Sequence, residues 1–348
     1  MDDKPLQQPR TGTGPDGLSW PHVLAVLAAG RDLQAQDTRW VMRRVLDDDF
    51  RPEQLAAFLM GLRVKGENAA ELSGLVEAAL DHAVPIDVDG GRCVDLAGTG
   101  GDGGSTVNVS TMASIVVAAC GVRVVKHGGR SASSRCGTAD VLEALGLPLD
   151  LPPAAVADVA RRAGITFCFA PAFHPALRNA APVRRALAVP TVFNLLGPLL
   201  SPARPRFQVV GVADLRAAPA IAEVLAARGT SALVVRSEDG TDELTTAGPA
   251  RIWTVRGGTV TPELLEPAAL GLAPAPTGAL AGAGPEYNAR VLRRVVAGEA
   301  GPVLDTALLN AAAALIAADP RPGPLVPRFT PALHRARQAV ASGAALKT

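Results

Sequence analysis

Between Cys93 and Gly146 the chain reads CVDLAGTGGDGGSTVNVSTMASIVVAACGVRVVKHGGRSASSRCGTADVLEALG, and two short runs in it have the residue types to hold an anion. The first, Gly98 to Gly104, packs five glycines and one acid, Asp102, into seven residues. Glycine lets backbone come very close to a ligand. An apolar strand, Cys93 to Ala97, leads into this loop and an apolar helical run, Met112 to Cys120, follows it. The amides of Asn108 to Thr111 are therefore expected at a helix N-terminus, where orphan N–H groups and the macrodipole favour negative charge. The second run, Lys126-His127-Gly128-Gly129-Arg130, is expected where the next strand, Val122 to Val125, ends. Two glycine loops one βα unit apart, the second one cationic, suit phosphate.

Gly98-x-Gly100-x-x-Gly103 also spells a dinucleotide fingerprint, which requires an acid about 20 residues on to bind a ribose hydroxyl. Here the second strand ends in Lys126 and His127, which suits further phosphate instead. Other candidates lie downstream. Arg184 and Arg185 could each anchor a carboxylate through a guanidinium fork. His174 precedes a proline, and Glu238, Asp239, Asp242 and Glu243 gather four acids in one loop.

Composition narrows the classes. Thirty-four Lys plus Arg against 33 Asp plus Glu leave a net charge of +1, and only 3% of residues are aromatic. That gives neither the basic stripe nor the stacking platforms of a nucleic-acid binder. Apolar runs fall short of the ~18 to 20 residues that span a bilayer, so no membrane partner is expected. The start, Met1-Asp2-Asp3, lacks the basic and apolar regions of a secretory signal. The four cysteines, Cys93, Cys120, Cys136 and Cys168, have no metal-ligand spacing and read as reduced thiols. A cytoplasmic protein is expected.

Residues 1 to 18 hold prolines, glycines and charges without apolar period and predict a loose tail. From Ser19, a helix N-cap with Pro21 in the first turn, four helices follow, near 20–30, 37–46, 52–63 and 69–82, the last opened by an Asn68/Glu71 capping box. From Arg92 short apolar strands alternate with helices. The strands are Cys93–Ala97, Val122–Val125, Ile165–Ala170, Phe207–Val212 and Ala232–Arg236, followed by a β-like piece, Arg251–Arg256, and three helical segments. The expected fold is α/β: a small N-terminal helical domain plus a larger α/β domain whose mostly parallel sheet is flanked by helices. Strand ends along one edge should make the site.

GTGGD at Gly98, NVST at Asn108, KHGGR at Lys126 and GTADVLEALG at Gly137 resemble the anthranilate phosphoribosyltransferase family. So, in order along the chain, do LAAFLMGLRVKGEN from Leu55, FAPAFHPAL from Phe169, PVRRAL from Pro182, FNLLGPLLSP from Phe193, DEL from Asp242 and LLNAAAAL from Leu308. The resemblance implies a helical domain over 19–90, completed by helices from about 173–200, a phosphoribosyl-donor-binding domain over 91–348, and a homodimer paired through the helical domain. It implies transfer of a phosphoribosyl group from 5-phosphoribosyl 1-pyrophosphate to anthranilate, a step of tryptophan biosynthesis. By matched position, Gly98, Gly101, Asp102, Thr106, Asn108, Ser110, Thr111, Lys126 and Ser134 would line the donor site. Gly98, Asn108, His127, Gly129, His174 and Arg184 would face the acceptor. Ser110, Asp242 and Glu243 would hold Mg²⁺, two ions when donor is bound. The second motif departs from the family's KHGNR at Gly129, where the usual asparagine helps hold the acceptor, so a looser acceptor pocket is expected. A nucleoside phosphorylase of similar architecture would continue its basic loop Lys-Met-Ser-Gly-Arg; Lys126-His127 and the Asp242-Glu243 pair favour the transferase.

Overall fold

The computed structural model describes residues 17–131, 134–319, 321 and 323–348. Apart from Gly17 and Leu18, the expected tail lies outside them. Ser19 accepts the His22 N–H at 3.4 Å and opens α1 (Trp20–Ala28), with Pro21 in its first turn. There follow α2 (Ala35–Leu46), α3 (Pro52–Lys65) and α4 (Ala69–Asp81). The capping box at α4 is complete: Asn68 Oδ1 accepts the Glu71 N–H at 2.9 Å, and Glu71 Oε2 accepts the Asn68 N–H at 3.0 Å. Glu71 is fully buried because it also accepts from the Leu33 N–H and pairs with Lys65.

The second half of the fold begins with β1 (Val94–Gly98), α5 (Val109–Ala119), β2 (Val124–Gly128), α6 (Thr138–Ala144), α7 (Pro153–Ala163) and β3 (Ile165–Phe169). Short helices α8 (Ala170–Phe173), α9 (Ala181–Leu187) and α10 (Val192–Leu196) lead to β4 (Phe207–Gly211), α11 (Ala218–Ala227), β5 (Ser231–Ser237), β6 (Ala250–Arg256) and β7 (Thr259–Leu265). The chain finishes with α12 (Pro285–Val296), α13 (Pro302–Ala317), α14 (Leu325–Ala341) and α15 (Ala344–Lys347).

The strands form one sheet in the order β3-β2-β1-β4-β5-β6-β7, parallel through β5 and antiparallel beyond. From β1 the chain winds outward through β2 and β3, then returns to β4 on the other side. That switch point opens a crevice at the carboxyl ends of β1 and β4. One apolar cluster under the sheet takes in α5, α12, α13 and α14. On the opposite face another joins α1 to α4, residues 180–200, α11 and the inward residues Val210, Val212, Val234 and Val255. The helical part and the sheet thus share apolar packing.

Two elements depart from expectation. β7 is absent from the sequence reading: its residues are mostly exposed and include Pro262, which a strand tolerates at a sheet edge because no inward N–H is needed there. β2 begins at Val124 rather than Val122, because the chain turns through Cys120 and the left-handed Gly121 (φ 79°), and the Val122 N–H still bonds back to Val117. Lys126 and His127 consequently lie inside the strand, 3% and 4% exposed, rather than just past its end.

Candidate active site

Burying Lys126 in a central strand demands partners, and the β1–β2 pairing supplies them. These strands are in register at Val94↔Val124, whereas β1–β4 and β2–β3 are in register at five positions each. Beyond Val94 side chains take over: Lys126 Nζ donates to the Leu96 carbonyl, and Asp95 Oδ1 accepts the His127 N–H at 3.1 Å. Lys126 also donates to Ser110 Oγ at 3.1 Å, in the first turn of α5. Burial depresses the lysine's pKa, opposed by Asp95, Glu243 and Asp242 in turn. Fully buried Asp95 is pushed up to about 7 by desolvation, with Lys126 pulling the other way.

The crevice between β1 and β4 is shaped by two glycines paired across it, Gly98 and Gly211. A Cβ at Gly98 would stand 2.1 Å from Asp242 Oδ2, and one at Gly211 only 1.5 Å from the Asp242 carbonyl oxygen. The loop after β5 therefore lies in a slot that only glycine leaves open. From it Asp242 Oδ2 accepts the Gly100 N–H at 2.7 Å, and Glu243 Oε1 accepts the Ser110 N–H at 3.3 Å. Both carboxylates rest on backbone donors of the glycine loop and the α5 N-terminus. Desolvation raises both pKa values, Glu243 well above the carboxylate range with Asp242 adding to it, while Asp102 adds to the rise at Asp242.

The helix N-terminus is fixed from the other side. Asn108, the N-cap of α5, directs its side chain away from its own amides: Oδ1 accepts from Asn288 Nδ2 at 2.9 Å, and Nδ2 donates to the Cys136 carbonyl at 3.2 Å. The loop that ends at Asn108 is pinned by a Thr106↔Ala281 bridge and a Val107 N–H bond to Leu280. Its beginning is tied to the helical part. Thr99 Oγ1 accepts the Ala213 N–H at 3.2 Å, and the next residue, Asp214, pairs with Arg63 of α3 at 2.8 Å.

These elements open onto one cleft of about 850 Å³. Gly98, Gly101, Asp102, Thr106, Asn108, Ser110, Lys126, Ser134, Asp242 and Glu243 line it, and so do His127, Gly129, His174 and Arg184. Thr111 is absent from the lining: it turns inward in the first turn of α5, 2% exposed, with its hydroxyl unpartnered among the described residues. Arg185 is exposed away from the cleft, while Arg184 reaches in with its guanidinium 5.2 Å from the Phe193 ring centroid. Burial lowers the Arg184 pKa, and no carboxylate is paired with it among the described residues. His174 and His127 meet edge to face at 5.4 Å. His174 Nε2 bonds the Leu200 carbonyl at 2.6 Å and His127 Nδ1 the Gly197 carbonyl at 3.2 Å, so each of these nitrogens carries the proton. His127 Nε2 is then a buried acceptor without a partner among the described residues. Desolvation first, then His174, holds the His127 pKa down to about 3, and the ring is neutral at pH 7.

Whether these residues suit Mg²⁺ follows from their chemistry. Among the described residues no group of three or more His, Cys, Asp or Glu is placed to hold a metal ion. A carboxylate pair with a nearby hydroxyl, leaving most positions to phosphate oxygens and water, is the donor set of a substrate-borne Mg²⁺. Sequence reasoning missed Asp95, Gly211, Asn288 and Asn310, whose partners lie on distant elements; the polar letter of Asn310 within an apolar helical run was the available signal.

Residues 90–346 match the glycosyl transferase family a/b domain, and residues 21–83 match that family's helical bundle domain. The class is thus a two-domain glycosyl transferase. Within it, the anthranilate phosphoribosyltransferase of Salinispora arenicola is 53% identical over 333 residues, 95% of this chain and 94% of its own length. A crystal structure of anthranilate phosphoribosyltransferase from Thermus thermophilus superposes with a TM-score of 0.86 at 40% identity, covering 93% of this chain and 96% of that one. The Saccharomyces cerevisiae enzyme in complex with PRPP and Mg gives 0.84 at 27% identity, covering 95% and 96%. The chain belongs to the anthranilate phosphoribosyltransferase family.

Proposed function

We propose that this chain transfers the phosphoribosyl group of 5-phosphoribosyl 1-pyrophosphate to the amino nitrogen of anthranilate, a step of tryptophan biosynthesis. The observation that carries the reading is one cleft lined both by groups suited to phosphate and metal and by groups suited to an aromatic acid. Backbone donors, a buried lysine and two acids supply the first set, and an arginine without a carboxylate partner among the described residues, with two buried histidines, supplies the second. The amine lone pair forms the new bond to the anomeric carbon as the bond to the pyrophosphate oxygen breaks, and the amine proton leaves afterward. Such a substitution has an oxocarbenium-like transition state, so positioning and neutralisation of the leaving charge dominate catalysis.

The α5 N-terminus and the Gly98–Gly104 amides hold phosphate, and Lys126 supplies fixed positive charge beneath them while orienting Ser110. When bound, Mg²⁺ supplies charge neutralisation at the pyrophosphate; Asp242, Glu243 and Ser110 would hold it, and we assign two ions to the donor complex. Arg184 holds the anthranilate carboxylate by two parallel hydrogen bonds. His127 and His174 give contact and orientation on the acceptor side, and neither ring is assigned as a base. We further infer a cytoplasmic homodimer paired through α1 to α4. Among the described residues no helix is long and apolar enough to cross a membrane.

The test mixes purified protein with Mg²⁺, phosphoribosyl pyrophosphate and anthranilate, and follows loss of anthranilate fluorescence. EDTA should abolish the signal. Release of free base from thymidine or uridine with phosphate, without anthranilate consumption, would overturn the assignment in favour of a phosphorylase.

A further inference from the structure

The acid pair sits on a loop between β5 and β6, and loops are the mobile parts of a fold unless something holds them. Here a buried helix does. Asn310, in the third turn of α13 and 4% exposed, lies among alanines and leucines where a polar side chain is costly unless fully bonded. Its Oδ1 accepts the Leu244 N–H at 3.1 Å. Its Nδ2 donates to the Leu244 carbonyl at 2.7 Å and to the Thr306 carbonyl at 2.9 Å. One carboxamide thus satisfies both backbone groups of the residue next to Glu243, as a neighbouring strand would. Ser237 adds a second tie: its hydroxyl donates to the Glu243 carbonyl at 2.7 Å and accepts the Thr245 N–H at 3.0 Å.

We propose that Asn310 is a positioning residue that clamps the Asp242–Glu243 loop in the geometry needed for the donor's divalent cation, with Ser237 as its auxiliary. The inference rests on the metal role assigned to that acid pair. The amide is required in both halves, because aspartate of the same shape accepts from the Leu244 N–H but opposes the Leu244 carbonyl with another acceptor. Glutamine is one methylene too long for the space. Asn310 has no contact with substrate in this scheme and acts through the loop alone.

The experiment compares wild type with Asn310→Asp and Ser237→Ala. The first readout, on protein free of substrate and metal, is amide hydrogen exchange at Leu244 and Thr245. Exchange at Leu244 should quicken at least about tenfold in Asn310→Asp and by less in Ser237→Ala, while Thr245, whose N–H loses its acceptor in Ser237→Ala, should quicken in that variant too, with α12 and α14 unchanged. The second readout is calorimetric affinity for phosphoribosyl pyrophosphate with Mg²⁺, expected to weaken about tenfold in Asn310→Asp while the KM for anthranilate holds. Ser237→Ala, the milder change, carries the test if Asn310→Asp fails to fold. Wild-type exchange at Leu244, or a loss of donor affinity matched by an equal-fold rise in the anthranilate KM, would overturn the clamp. Asp242→Asn with Glu243→Gln, run in parallel, separates the two readings. If that pair leaves donor affinity intact, the metal role falls; if it weakens affinity while Asn310→Asp does not, the clamp falls.

Discussion

Replacing Gly211 by alanine tests whether the slot between β1 and β4 sets the acid pair. Gly211 is not in a left-handed conformation, so the substitution probes space alone. The new Cβ would stand 1.5 Å from the Asp242 carbonyl oxygen and 2.5 Å from its carbon, both backbone atoms without rotamer freedom. Restoring ordinary contact of 3.4 Å requires the chain at Asp242 to withdraw by about 2 Å, while Leu244 stays fixed to Asn310. Misplacement by ~1 Å at a positioned group already costs ~10²-fold in rate. The expected loss in kcat/KM is therefore at least about 100-fold, or about 2.7 kcal/mol of transition-state stabilisation. Overpacking should also cost about 1–3 kcal/mol of stability, which calorimetry would register as a lower Tm. Gly248→Ala is the control, since nothing lies within 4 Å of its added Cβ. Activity within threefold of wild type and an unmoved Tm in Gly211→Ala would refute the reasoning.

Other expectations concern the acceptor end and the buried charge. Arg184→Lys removes the fork and should raise the anthranilate KM by about tenfold or more with the donor KM unchanged; equal changes in both would contradict its assignment. Gly129→Asn should fold normally, since the nearest atom to an added Cβ is Ala170 Cβ at 3.9 Å. It should also lower the anthranilate KM and narrow tolerance of substituted aminobenzoates, and unchanged selectivity in steady-state assays would dispose of the looser-pocket reading. Asp95 binds its proton more tightly folded, at about 7 against an ordinary 3.8, so its stabilising contribution is complete below 3.8 and declines as pH rises toward 7. Urea unfolding should accordingly show wild type losing ground to Asp95→Asn between about pH 4 and 7, then a level difference. A flat difference across that range would count against the buried protonated carboxyl.

The first and fourth helices were legible because each carries its own start signal, Ser19 before Pro21 and Asn68 before Glu71, and the two between them as helical stretches set off by polar breaks. The parallel strands were legible as apolar runs. Where reading failed, the deciding partner was remote. The sequence places Lys126 and His127 as site residues just past a strand end, but their burial inside the strand depends on Asp95, the Leu96 carbonyl and Ser110, which receive them from other elements. β7 carries no apolar alternation because it is an exposed edge, and Pro262 argues locally against a strand. Gly211 is a plain strand-end glycine in the sequence, and its role exists only because a loop more than thirty residues later lies against it. Thr111 belongs to a matched motif, yet helical periodicity turns it inward while Ser110 faces the cleft.

The apolar cluster that runs from Trp20 through residues 180–200 to Val255 leaves the small helical part without a private interior. Val210 and Val212 of the sheet side and Ile221 and Leu225 of α11 complete the same cluster, and Arg63 reaches across to Asp214 beside it. Such a boundary cannot come apart cleanly on heating: separation would bare hydrocarbon on both sides at once and release the strut from Arg63 that leads, through Ala213 and Thr99, to the phosphate loop. The molecule should melt in a single step, its N-terminal helices and its strands going together.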